Sequence, residues 1–187
     1  ACTSGERNTA IGYDTMVDLQ TSEDNTAVGY NALKIVTGAD NTAIGTRAGD
    51  ATTSGTRNVY VGIDAGGGGN GSENCIVGRR AGQSNTASYI AAFGTEALQN
   101  NTGAANTAIG MQSLMANTSG TQNTALGYQA LNANQGGSWN TAMGYQALDT
   151  LNGGNRNVAV GREACRDQAS GDGNTGIGTE ALKLNSS

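Results

Sequence analysis

The residues able to do covalent or metal chemistry are few in this chain and poorly spaced for it. Histidine is absent, which removes the usual general base, the commonest metal ligand and the near-neutral proton switch. The carboxylates Asp14, Asp64, Glu96, Glu163 and Glu180 recur singly in one turn column, and Arg47, Arg79 and Arg80 share that region. Mixed charge at a turn reads as a solvated edge rather than a general-acid pair. Gly66-Gly67-Gly68-Gly69 is followed by neither a Gly-Lys-Ser/Thr sequence nor a helical pattern, so it is a flexible turn and not a phosphate loop. Asp172-Gly173-Asn174 lacks the repeated Asp positions of a calcium loop. These residues point to a protein that is not an enzyme and takes no cofactor and no metal.

The elements that carry those residues are set by composition. Glycine occurs 30 times in 187 residues and proline never, which excludes collagen and a proline-rich linker. Charged residues make up 13% and aromatic residues 4%, too few for a layered core of large side chains. Disorder would bring a high net charge, whereas the balance is only −5. That acidic balance also argues against nucleic acid, which demands clustered Lys and Arg. No run of 18 apolar residues is present, so no membrane insertion is expected. Residues 1–8 lack the regions of a signal peptide, so the chain reads as a mature or excised piece.

A repeat decides the fold class. Asn-Thr-Ala-Ile-Gly begins at Asn8 and returns at Asn25, Asn41, Asn58, Asn74, Asn106, Asn123, Asn140, Asn157 and Asn174, with a degenerate copy at Ile90. Eleven copies therefore follow one another at 16 or 17 residues. The fourth position is always apolar and the fifth always Gly, from Gly12 to Gly178. Three residues after that Gly stands a small residue, Ala in nine copies, followed by Leu, Met, Cys or Gly. The period is too short for a helical pair and fits two strands of about four or five residues with two tight turns. The expected fold is all-β: a parallel β-solenoid of eleven 16–17-residue coils, one domain over residues 1–187. At strand spacing the rod is roughly 50 Å long.

Alternation along the strand sends positions two and four to one face and positions one, three and five to the other. The apolar fourth position marks its face as the interior, and Thr9, Thr26, Thr42, Thr107, Thr124, Thr141 and Thr175 at position two go with it. The ten Asn residues at the head of the motif either form a hydrogen-bonded ladder or simply tolerate a turn conformation. The invariant Gly turns the corner.

Asn-Thr-Ala-Ile-Gly-x-x-Ala, as in Asn25 to Ala32 and Asn123 to Ala130, resembles the head repeat of trimeric autotransporter adhesins, the YadA-like head. It is also similar to repeats in phage and algal-virus tail fibres. The resemblance covers the chain from Asn8 to about Leu184. It implies a left-handed β-roll, chains packed side by side, and display outside a cell or virion. The adhesin repeat is shorter than 16 residues, so an enlarged second turn is expected here. The family also implies that the small third position can face a neighbouring chain. Ala10, Ala27, Ala43, Ala92, Ala108, Ala125, Ala142 and Ala159 would form this interchain strip, with Gly176 in line and Tyr60 and Ile76 interrupting it.

Cys75 and Cys165 fall in coils five and ten, about 24 Å apart at strand spacing, beyond disulfide reach. Both read as buried small hydrophobes, while Cys2 precedes the first coil. Asn70, Asn100, Asn117 and Asn185 head Asn-x-Ser/Thr sequons and are candidate glycosylation sites. Tyr13, Tyr30, Tyr128 and Tyr145 follow the invariant Gly.

The function expected is an extracellular fibre or adhesive module, a rod acting as spacer or receptor-binding shaft. Its partners would be copies of itself, as trimer or filament, and a cell-surface receptor or glycan met through variable turns bearing Tyr89 and Trp139. A filament joined through the solenoid ends and an ice-binding rod are the alternatives.

Overall fold

The computed structural model describes residues 5–19 and 21–184. Each coil contributes one strand of three residues: β1 (Thr9–Ile11), β2 (Thr26–Val28), β3 (Thr42–Ile44), β4 (Val59–Val61), β5 (Cys75–Val77), β6 (Ala91–Phe93), β7 (Thr107–Ile109), β8 (Thr124–Leu126), β9 (Thr141–Met143), β10 (Val158–Val160) and β11 (Thr175–Ile177). They pair in chain order in a single parallel sheet. Equivalent residues stand over one another, as Thr107, Ala108 and Ile109 do over Thr124, Ala125 and Leu126. A parallel sheet whose strands follow in sequence, each one coil after the last, is a β-solenoid.

The second strand expected in each coil is replaced by a stack of turns. Three residues per coil take left-handed backbone, for example Gln122 (φ 58°), Gln129 (φ 53°) and Leu131 (φ 52°). Such a conformation costs a non-glycine residue roughly 1–2 kcal/mol, and here it aims amides at the neighbouring coils. Gln129 N–H donates back to Met111 O at 3.1 Å and Leu131 N–H forward to Ala147 O at 3.0 Å. Left-handed residues at alternate positions bend the chain too tightly for a strand while keeping a ladder between coils.

The interior is the reverse of the one expected. The Ala column is buried, with Ala27, Ala43, Ala92, Ala108, Ala125, Ala142 and Ala159 fully enclosed. Positions two and four point out: β7 and β9 show the third residue buried between a half-buried and an exposed one. The reason is volume. Across the coil from the Ala column stand Leu33, Leu98, Leu114, Leu131 and Leu148, all fully buried. Between the third position and this facing column, each rung has room for one large side chain. Where the third position is large, the opposing residue is Gly. A Cβ on Gly66 would lie 2.0 Å from a Tyr60 ring carbon, and one on Gly82 would lie 2.7 Å from Ile76 Cδ1.

The head-of-motif Asn residues close each coil and join it to the next. Asn41 Nδ2 donates to Gly55 O at 2.9 Å within its coil, while Asn41 Oδ1 accepts from Asn58 N at 3.1 Å in the next. The same pair of bonds recurs at Asn25, Asn58, Asn140 and Asn157. Asn supplies a donor and an acceptor on one short side chain, and both are needed in a dry interior.

Candidate interaction surface

Because the small residues and Asn turn inward, the strand ladder presents its branched side chains to solvent. Position four forms a row along the rod, with Ile44 45% exposed, Ile109 42%, Leu126 41%, Met143 40% and Phe93 38%. Val28, Val61, Val77 and Val160 continue it half-buried. Beside it runs the position-two row of seven Thr residues, interrupted by Val59, Cys75, Ala91 and Val158. An apolar strip of this length on an otherwise polar chain is a candidate interaction surface.

The flanks of this face carry aromatic and charged residues. Past the glycine corner Tyr13 stacks on Tyr30 with centroids 5.7 Å apart, and Tyr128 stacks on Tyr145 at 5.4 Å. On the other flank the Arg156 guanidinium lies 5.5 Å from the centre of the exposed Trp139 ring. Arg57 pairs with Glu73 at 2.8 Å. Where Val59, Cys75 and Ala91 replace Thr, a hollow of about 540 Å³ opens, rimmed by Arg57, Glu73 and Tyr89.

Several expected site residues are placed differently. The Ala column is interior, so it cannot serve as an interchain strip; Ala10 in the first coil is exposed. The Thr column faces outward rather than inward. Cys75 is half-exposed on the outer face rather than buried, whereas Cys165 is buried in the Leu column. Burial pushes the Cys165 thiol up. Cys2 and Asn185 lie outside the described residues.

Among the sequons Asn70 and Asn100 are exposed, but Asn117 is fully buried. Its Nδ2 donates to Asn101 Oδ1 at 2.6 Å and to Gly120 O at 2.9 Å, which leaves no room for a glycan. Asn117 belongs to a second interior ladder that reasoning from the sequence missed. Asn85, Asn101, Asn117 and Asn134 stand eleven residues after the head of their motifs. The amides of Asn101, Asn117 and Asn134 each donate to the preceding Asn carbonyl, at 2.7, 2.6 and 2.8 Å, while Asn85 starts the ladder and donates to Ala87 O at 3.0 Å. The signal was four consecutive coils with Asn in one column.

The carboxylates of the turn column are tied rung to rung. Arg47 holds Asp64 at 2.6 Å and Arg79 holds Glu96 at 3.3 Å. Gln112 continues from Glu96 at 3.0 Å, and Gln129 and Gln146 extend the row at 2.9 Å each. At coil ten Glu163 meets Lys183 and Arg162 at 2.6 Å each and Arg166 at 3.1 Å. Hydrogen bonds from Lys183 and Arg162 lower the Glu163 pKa to about 2. A lowered folded pKa stabilises above the ordinary carboxyl range and is lost as pH falls toward that value. The last two coils are therefore expected to loosen as pH falls from about 4.5 to about 2. Amide protection at Gly178 and Glu180, which bond back to Val160 and Arg162, should fall there while Gly127 stays protected. Equal loss at all three amides would show that Glu163 does not hold this end.

Among the described residues no group of His, Cys, Asp and Glu is placed to hold a metal ion. Comparison with family models, with curated proteins and with solved structures finds no match.

Proposed function

We propose that this chain is a rod module of an extracellular fibre that associates with copies of itself along the outer face of its strand ladder. The observation that carries this reading is the position-four row, exposed at seven rungs from Ile11 to Ile177 and half-buried at its four Val residues. A partner covering the row must match its rung repeat over its whole length, and a second copy does so by construction. Burying branched side chains contributes about 25 cal/mol per Å² removed from water, and eleven rungs supply many small contributions. The repeat's resemblance to adhesin heads and tail-fibre repeats supports display at a cell or virion surface. The variable second turns, with Tyr89 and Trp139 exposed, would meet a receptor or glycan.

Light scattering coupled to chromatography tests the association. The wild type is expected as a discrete oligomer, and a monomer at high concentration refutes the reading. Replacing Ile109 and Leu126 by Glu should produce a monomer with unchanged circular dichroism. The affinity loss should exceed about tenfold per site, some 1.4 kcal/mol each.

The outward Thr row favours a second reading, the ordering of water at an ice surface. Thr hydroxyls and aliphatic side chains stand in two parallel rows on a regular sheet. Thermal hysteresis from a monomeric protein would select this reading; its absence would leave the fibre.

A further inference from the structure

Two Asn-Gly dipeptides occur in the chain, Asn70-Gly71 and Asn152-Gly153, and both asparagines are exposed. Their surroundings differ: Gly71 is buried while Gly153 is exposed at φ +93°, and the two asparagine side chains are held differently. The Asn70 Oδ1 accepts from Thr53 N at 3.1 Å, from Ser54 N at 3.2 Å and from the Thr53 hydroxyl. Among the described residues no hydrogen bond engages the Asn152 side chain, whose backbone alone is tied, to Ala169 O at 3.0 Å.

We propose that Asn70-Gly71 is a site of spontaneous deamidation, accelerated by the donors that coil three aims at the Asn70 carbonyl. Base removes the Gly71 amide proton, and the Gly71 nitrogen attacks Asn70 Cγ. Negative charge collects on Oδ1, where two backbone N–H groups and a hydroxyl already point. Donors fixed on a developing oxyanion lower the barrier to reaching it. The conjugate acid of that base, or water, protonates Nδ2, the Cγ–Nδ2 bond breaks as the oxyanion re-forms the carbonyl, ammonia leaves, and a five-membered imide remains. Water opens the imide at either carbonyl to give aspartate or isoaspartate. Gly71 has no Cβ to shield its nitrogen, and no hydrogen bond engages its N–H among the described residues.

The modification has a structural consequence. Gly71 O accepts from Asn58 Nδ2 at 3.0 Å and lies 2.5 Å from where a Cβ on Gly55 would be. Isoaspartate lengthens the main chain just ahead of that packed carbonyl, so it loosens coil four. This inference is independent of the fibre reading.

The test is peptide mapping by mass spectrometry after incubation of the folded protein at mildly alkaline pH, with Asn152 as internal control. Asn70 is expected to convert several-fold faster than Asn152, and the two rates should converge in denaturant. Thr53→Ala removes the hydroxyl donor but keeps the carbonyl that accepts from Thr37 and Gly38. It should slow Asn70 several-fold without changing Asn152, less than the roughly hundredfold or more that an enzyme's oxyanion donor supplies. Thr53→Val keeps the β-branch and should act alike. An Asn70 rate equal to or below that of Asn152 in the folded protein would overturn the proposal. A rate unchanged in both Thr53 variants would do so too.

Discussion

Gly110→Ala is expected to destabilise the chain by about 4 kcal/mol or more, near the upper end for a single substitution. A Cβ there would lie 2.4 Å from Gly127 O and 2.6 Å from Gly127 C. Those atoms are backbone of the next coil, and that backbone is held by Gly127 N–H donating to Ile109 O at 2.8 Å. The clash cannot relax without opening a rung. The φ of +132° adds strain of its own, in a region that costs about 1–3 kcal/mol. Gly178→Ala separates the two effects. Its φ is +122°, yet the nearest atom to an added Cβ is Ala181 Cβ at 3.9 Å. It should cost only the backbone strain, about 1–3 kcal/mol. Urea unfolding followed by circular dichroism measures both. Equal losses would mean that coil stacking is not what excludes a side chain at this corner.

The glycine corner was legible because exclusion of a Cβ leaves an invariant column. The coil count and the place of the one strand in each coil were legible for the same reason, since register follows from the spacing of that column, whereas the expected second strand was not found. The direction of the side chains was misread. Apolar character at position four suggested an interior, but hydrophobicity does not measure room. The deciding signal lay in pairs of columns. Tyr60 occurs with Gly66 and Ile76 with Gly82, so a large third residue requires a missing side chain six positions on. Two columns that trade volume face each other, which places the Ala column inside. Alternation then puts Asn on the same side, where its amide must be satisfied. Composition alone does not foretell the left-handed turns, because Gln, Glu, Arg and Leu fill them as often as Asn or Asp. Bonds between coils hold those residues there. The outer face was therefore missed as a surface, and its residues had been assigned to a core.

The inward Asn column yields a sharper test, because the two ladders overlap only in part. In coil eight Gly137 O accepts from Asn123 at 2.8 Å and also from Asn134 at 3.0 Å. In coil nine Gly154 O accepts from Asn140 at 2.7 Å, and the second-ladder position is Leu151, which has no donor to offer. Asn123→Ala therefore leaves one buried donor unpaired, the Asn140 N–H that bonds Asn123 Oδ1 at 2.9 Å. Asn140→Ala leaves both Asn157 N–H and Gly154 O unpaired. A buried unsatisfied group costs about 1–3 kcal/mol. The expected losses are about 1–3 kcal/mol for Asn123→Ala and about 3–5 kcal/mol for Asn140→Ala. Nature has made the equivalent change once, at Ile90. There Asn101 and Asn106 donate to Gly103 O at 2.8 and 2.9 Å in place of the missing Asn. The same logic predicts that Leu151→Asn should recover part of the loss in Asn140→Ala and add nothing to the wild type. Asn140→Asp keeps the acceptor but sets a carboxylate against Gly154 O in a dry interior. Its folded pKa must rise, so that variant should be most stable in acid and lose stability as pH rises through the folded value. Chemical denaturation of the five variants at neutral and acid pH, Leu151→Asn being made both alone and with Asn140→Ala, reads all of these at once. If Asn123→Ala and Asn140→Ala lose equal stability, the second ladder does not support the first.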